Sequence, residues 1–218
     1  MVIFGIDLVL LISALMISAT PVLLAAIGEA VVEKSGVLNL GVEGMMITGA
    51  VIGFIFAVNT QTPIYGFICA AIAGALLSVL FAVLTQYIMS NQVATGLGLT
   101  MVGLGLSALI GKPYEGIRSP TLSKIEIPIL SDIPILGPMI FSHDAIVYFS
   151  VILVATVAFV ISKTRIGLVL RAVGENQEAA HALGYKVVRI RFLAIMFGGA
   201  TAGIGGAYIS LALSLIHI

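Results

Sequence analysis

From Gly44 to Gly111 the chain contains no Asp, Glu, Lys or Arg. A stretch that long without charge has no stable place in water, because a soluble fold needs a charged outer surface to cover its core. Polar punctuation at Asn59-Thr60-Gln61-Thr62-Pro63 and at Ser90-Asn91-Gln92 divides it into three pieces. Each is close to the roughly 20 apolar residues of helix that cross a hydrocarbon core about 30 Å thick. The whole composition agrees. It is 60% hydrophobic and 9% charged, with a mean hydropathy of +1.21, where soluble domains carry about 25% charge. Ten acidic and ten basic residues leave no basic face for nucleic acid. A single cysteine, Cys69, and three scattered histidines give neither a disulfide framework nor zinc-ligand spacing.

Uncharged runs predict spans at about 8–28, 44–58, 64–89, 93–111, 145–162 and 192–212. Helices or closed barrels alone satisfy their backbone in lipid, and barrel alternation is absent, so the expected class is an all-α bundle of about six membrane helices. The 44–58 piece is short, which leaves open a broken or re-entrant helix. Asp7 is the only charge before Glu29, so the first run lacks the basic start of a cleaved signal. The 163–191 segment holds Lys163, Arg165, Arg171, Lys186, Arg189 and Arg191, against Lys112, Arg118 and Lys124 in 112–144. By the positive-inside rule 163–191 is expected to be cytoplasmic, with 29–43 on the same side and both 112–144 and the N-terminus outside.

Five prolines (Pro113, Pro120, Pro128, Pro134 and Pro138) stiffen the external loop, where the alternation Ile125–Ile129 suggests a short extended piece. Thr20-Pro21 predicts a kink in the first span. Glycines at four-residue spacing (Gly49/Gly53, Gly199/Gly203) and crowded in the fourth span (Gly96, Gly98, Gly103, Gly105) let helices approach closely, or slide. Glu29, Glu33 and Glu43 bracket Ser35–Gly41. A carboxylate at the bilayer centre costs on the order of 3 kcal/mol or more, so none should face lipid. If the helices continue, Glu29 shares a face with Glu33, and Asn39 with Glu43. Two readings stay open: helix ends at the headgroup level, or a broken helix lining a cavity for polar solutes. Asn91, Gln92 and Thr95 at the start of the fourth span either cap it or suit a neutral, hydroxyl-rich solute. Gly105–Lys112 is one residue too long for a phosphate loop and lacks its Ser/Thr, and Gly96-Leu97-Gly98 follows no strand. An ATPase driving this chain would therefore be another polypeptide.

The stretch Gly174–Gly184 predicts a short cytoplasmic helix with acids in its first turn, a small face of Ala179, Ala180 and Ala182, and a glycine stop. Flanking Arg171, Lys186, Arg189 and Arg191 suit an anionic leaflet. Its Glu178-Ala179-Ala180-x-x-x-Gly184 resembles the Glu-Ala-Ala…Gly coupling loop of ABC importer permeases, and Gly167–Asn176 resembles the run preceding it in the simple-sugar, nucleoside and branched-chain amino-acid group. Separately, Glu33–Met46 is similar to the Glu-Arg-Ser-Gly-Val-Val-Asn-Ile-Gly-Leu-Glu-Gly-Met-Met motif of that group, with Lys34 for the usual Arg. The external Ile127–Pro138 resembles nucleoside-type members. The likeness runs from about residue 8 to 212.

What the resemblance implies is a permease subunit in a bacterial inner membrane, working with a second permease subunit, two ATPase subunits and an extracytoplasmic solute-binding protein. It implies no enzyme activity and no cofactor on this chain; ATP and magnesium belong to the ATPase. It assigns coupling to Glu178, Ala179, Ala180 and Gly184, and lining of the translocation pathway to Asn39, Glu43 and Gln92. Members of the group continue through several spans beyond the sixth. Residues 1–212 are accordingly expected to be a partial permease domain. The closing Leu213–Ile218 equals the translation of a transposase library adaptor, CTGTCTCTTATACACATC, and is expected to be non-native. The alternative from another class is an ion-coupled secondary transporter using Glu29, Glu33 or Glu43. Within the group, a branched-chain amino-acid permease is the alternative to a nucleoside or sugar permease.

Overall fold

A computed structural model describes residues 2–3, 6–120, 122–126 and 142–212. A two-residue hairpin, β1 (Val2–Ile3) with β2 (Ile6–Asp7), leads into α1 (Leu8–Lys34). Then come α2 (Val42–Thr60), α3 (Pro63–Gln86) and α4 (Gln92–Gly111), the last followed by a 3-10 turn at Lys112–Tyr114. Strand β3 (Lys124–Glu126) pairs antiparallel with β4 (Ser142–Asp144), and α5 (Ala145–Lys163), α6 (Arg165–Glu175), α7 (Gln177–Ala182) and α8 (Val187–Ala212) complete the described chain. Six of these helices, α1 to α5 and α8, are long and apolar enough to cross a membrane.

Local chemistry sets the boundaries. Asn91 Oδ1 accepts from Ala94 N (3.1 Å) at the start of α4, Thr164 Oγ1 from Gly167 N (3.3 Å) at α6, and Asn176 Oδ1 from Ala179 N (3.0 Å) at α7. Pro63 opens α3, where its missing N–H costs nothing. Gly36, with φ +82°, stops α1 in a left-handed turn.

Several boundaries move. The first span does not end at residue 28: the helix carries Glu29 and Glu33 to Lys34 and passes through Pro21, with Thr20 Oγ1 donating to Met16 O (2.8 Å). The last starts at Val187 rather than 192, and the third stops at Gln86 rather than 89. The short second piece is one continuous helix, Val42–Thr60, not a broken one. The predicted extended piece is present as β3 over Lys124–Glu126; its remainder, Ile127–Ile129, the nucleoside-like stretch 127–138 and the tail 213–218 lie outside the described residues.

Helix α8 occupies the centre, packed against α1, α2 and α3. One core cluster gathers Val32, Val37, Met45, Leu77, Phe81, Leu99 and Ile195; a second, at the opposite end, gathers Ala57, Phe67, Ala70, Val147, Tyr208 and Leu211. Outward faces of α3, α4 and α5 carry Leu76, Met101, Leu109, Ile152 and Phe159, all exposed, as a bilayer requires.

The ends differ in what they hold together. At one, Leu38 N donates to Gln92 Oε1 (2.8 Å), and Arg191 reaches both Ser35 and Gln177, so 35–41, the start of α4 and 165–191 share a side. At the other, Asn59 Nδ2 donates to Tyr114 Oη (3.3 Å), Ser13 Oγ lies 3.3 Å from His143 Nε2, and Tyr208 Oη donates to Asp144 Oδ2 (3.4 Å).

Candidate coupling site

The loop Ser35–Gly41 joins α1 to α2 and is more enclosed than its polarity suggests: Ser35 is 0% exposed and Asn39 2%. Buried polar groups must find partners or cost on the order of 1–3 kcal/mol each. Here they do. Ser35 Oγ donates to Val32 O (2.6 Å), Asn39 Oδ1 accepts from Gly41 N (3.0 Å), and Asn39 Nδ2 reaches Met45 Sδ (3.7 Å). Side chains of α1 and α4 take up three of the loop's backbone groups. Glu29 Oε1 of α1 accepts from Asn39 N (3.0 Å), Gln92 Oε1 of α4 from Leu38 N, and Thr100 Oγ1 of α4 donates to Leu40 O (3.2 Å). The second carboxylate oxygen of Glu29 is buried and has no partner.

The predicted single helix over 174–184 is instead two. Gly174 and Glu175 finish α6, Asn176 is extended (φ −149°, ψ 97°), and α7 begins at Gln177. The reason is Asn176 itself, whose side chain accepts from Ala179 N and so caps the first turn of the new helix, a bond a helix interior would not allow. The end of α6 lies against the 35–41 loop: a side chain at Gly36 would meet Gly174 Cα and Arg191 Nη2, each at 3.0 Å. From the first turns of α8, Arg191 Nε donates to Ser35 O (3.0 Å) and Nη1 to Gln177 Oε1 (2.9 Å).

Of the four expected coupling residues, Glu178, Ala179 and Gly184 are exposed, and Gly184 takes the left-handed φ of +87° that a glycine stop requires. Ala180 is turned the other way, 2% exposed and packed with Val173 and Val187. The small face anticipated for docking is thus reduced to Ala179 and Ala182, and Ala180 fastens α7 to the bundle. Of the three expected pathway residues, Gln92 borders a cleft of about 670 Å³ whose walls include Thr85, Gln86, Ser90, Gln177 and His181. Asn39 is enclosed within the loop, and Glu43 is exposed on the first turn of α2. Asn39 and Glu43 do not share a helix face, because α2 begins only at Val42. Glu29 and Glu33 lie on one helix, with Glu29 half-buried and Glu33 exposed.

Two motifs read as independent in the sequence are therefore in contact, and Arg191 is what bridges them. The sequence assigns Arg191 an orienting positive charge and a contact with the anionic leaflet, not this bridge. A usable signal was present: Arg191 sits four residues from both Val187 and Ile195, on the buried side of α8, whereas Arg189 is exposed.

The model of one family, described as the permease component of branched-chain amino acid transport systems, matches residues 11–218. The chain belongs to this permease family. The permease is 36% identical, over 95% of its length, to a Haloferax volcanii protein provisionally named as a glucose ABC transporter permease. It is 34% identical over 90% of its length to the guanosine ABC transporter permease protein NupQ of Bacillus subtilis, and 31% over 94% to the nucleoside ABC transporter permease protein NupC of Lactococcus lactis. It spans about two thirds of the length of these relatives, 64%, 66% and 68% respectively. No solved structure matches it. With six apolar helices long enough to span, the permease is a multi-pass membrane protein.

Proposed function

We propose that this permease is a transmembrane subunit of an ATP-binding cassette importer for a nucleoside or simple sugar. It forms part of the pathway in a bacterial inner membrane beside a second permease subunit, takes solute from an extracytoplasmic binding protein, and is driven by ATPase subunits that hold the ATP and magnesium. The segment 163–191 faces the cytoplasm and the N-terminus lies outside. The observation that carries this is the exposed, doubly capped α7, beside the cleft and joined through Arg191 to the Ser35–Gly41 loop. In this reading Glu178, Ala179 and Gly184 meet the ATPase and Ala180 anchors the helix from beneath. Gln92 lines the inner end of the pathway; Asn39 shapes the loop from within and Glu43 flanks it.

The substrate preference is supported by the relatives named for guanosine, nucleosides and glucose. The cleft also offers hydroxyl and amide groups from Thr85, Gln86, Ser90 and Gln92 that suit a hydroxyl-rich solute, beside Glu178, His181 and Arg191. The test is uptake of labelled guanosine, glucose and leucine into vesicles holding the permease with its companion subunits. ATP-dependent, vanadate-sensitive uptake of guanosine or glucose is expected. Uptake that survives ATP removal and vanishes with a collapsed ion gradient would establish the secondary-transporter alternative, and uptake of leucine alone would overturn the substrate assignment.

A further inference from the structure

We infer that Arg191 is a positioning residue: the strut through which displacement of α7 reaches the Ser35–Gly41 loop and, through it, α1 and α4. The inference rests on the importer reading above, since it needs a motor acting on α7.

Helix α7 is six residues long, follows an extended residue at Asn176 and is succeeded by the turn at 183–186. Its ties to the bundle are the packing of Ala180 and the hydrogen bond from Arg191 to Gln177. A helix held so lightly moves as a unit when pushed. Arg191 is not light: it springs from α8, the central helix, and its planar guanidinium fixes the angle between the donor serving Gln177 and the donor serving Ser35. Shifting Gln177 therefore turns the group against the Ser35 carbonyl rather than stretching one bond. Ser35 cannot yield alone, because its loop is pinned by Glu29 of α1 and by Gln92 and Thr100 of α4. Gly36 completes the seat, since a side chain there would crowd Arg191 Nη2 and Gly174 Cα, each at 3.0 Å. Lysine could not replace Arg191: one ammonium on a flexible stem serves either partner without fixing the angle between them. The neighbouring cations Lys186 and Arg189 are exposed, and the hydrogen bonds to Ser35 and Gln177 are made by Arg191.

The test uses Ser35→Cys in a Cys69→Ala background, because a thiol at that fully buried position is alkylated only when the loop opens. In membranes, Arg191→Ala is expected to speed labelling about tenfold or more, the equivalent of one charge-assisted hydrogen bond. Gln177→Ala, a surface change that leaves the core intact, is expected to speed it several-fold and to add nothing in the Arg191→Ala background. Arg191→Lys is expected not to restore the parental rate. Labelling at the parental rate in Gln177→Ala, or effects that multiply in the double variant, would overturn the strut. With the companion subunits present, trapping nucleotide with vanadate is expected to change the labelling rate of the parental chain and not of Gln177→Ala. Equal responses in both would overturn the strut while leaving the importer reading standing. No response in the parental chain, with the mutational coupling intact, would sink the importer reading instead.

Discussion

Helices α8 and α5 are both apolar and both long enough to cross a membrane, yet 61% of the spanning window of α8 is buried against protein and only 17% of that of α5. Hydropathy does not order them: α8 is the least apolar of the six spanning helices and the most buried. In water the reverse would hold. In lipid, leucine and isoleucine gain nothing by leaving the acyl chains, so burial goes to the residues that bring backbones together. Helix α8 supplies Gly198, Gly199, Gly203, Gly205 and Gly206 along its buried side, while α5 supplies Ile152 and Phe159 outward.

The sharpest way to break the comparison is to give α8 a side chain. At Gly206 even a methyl group would collide with the carbonyl of Met46 in α2, and at Gly203 with that of Ala70 in α3. Both obstacles are backbone and cannot swing away. Gly206→Leu is expected to cost more than about 4 kcal/mol, enough to lose the folded chain from detergent extracts followed by size exclusion. The matching change on α5, Ile152→Leu, is expected to leave the elution profile unchanged. If both variants survive alike, small residues are not what selects the central helix.

This explains what the sequence could and could not say. Span number and the all-α class were legible because the bilayer imposes length and charge rules on each segment separately. The positions of Glu29 and Glu33 were not, because a charge count ends the span at residue 28, whereas α1 continues to Lys34 and its half-buried Glu29 finds Asn39 N in the next loop. Asn91 as a cap was readable from three residues; Arg191 meeting Ser35 joins positions far apart in the chain, and no local pattern encodes that distance. The inward turn of Ala180 escaped for a related reason. Alanine fits a buried seam and a docking face equally well, and only its closeness to Val173 and Val187 decides.

The second contrast lies between the two ends of the bundle. At the loop end, Gly36→Ala meets both a left-handed φ of +82° and two contacts at 3.0 Å. It should cost about 2 kcal/mol, read as a fall in thermal midpoint and as freer alkylation of a cysteine placed at Ser35. At the other end, Tyr208→Phe removes only the 3.4 Å bond to Asp144 from an otherwise apolar, fully buried ring. About 0.5–1 kcal/mol is expected, with no change in alkylation at Ser35. A larger loss from Tyr208→Phe than from Gly36→Ala would mean that the β4 end, rather than the loop end, holds the helices in register.

The smallest expected effect returns to glycine, now on α4. Gly98 and Gly105 lie seven residues apart on one side of that helix, and an added Cβ at either would meet no atom within 4 Å. Alanine there should be neutral or stabilising by up to about 1 kcal/mol, because it removes backbone freedom from a helix interior without touching a neighbour. The same chemical change thus has opposite signs on α8 and α4, and the thermal midpoints of Gly203→Ala and Gly98→Ala measured side by side test it directly. The pair also separates folding from assembly. If Gly98→Ala raises the midpoint of the isolated chain but weakens its recovery with companion subunits, the open side of α4 receives another helix; if both readouts rise or stay level, that side meets lipid.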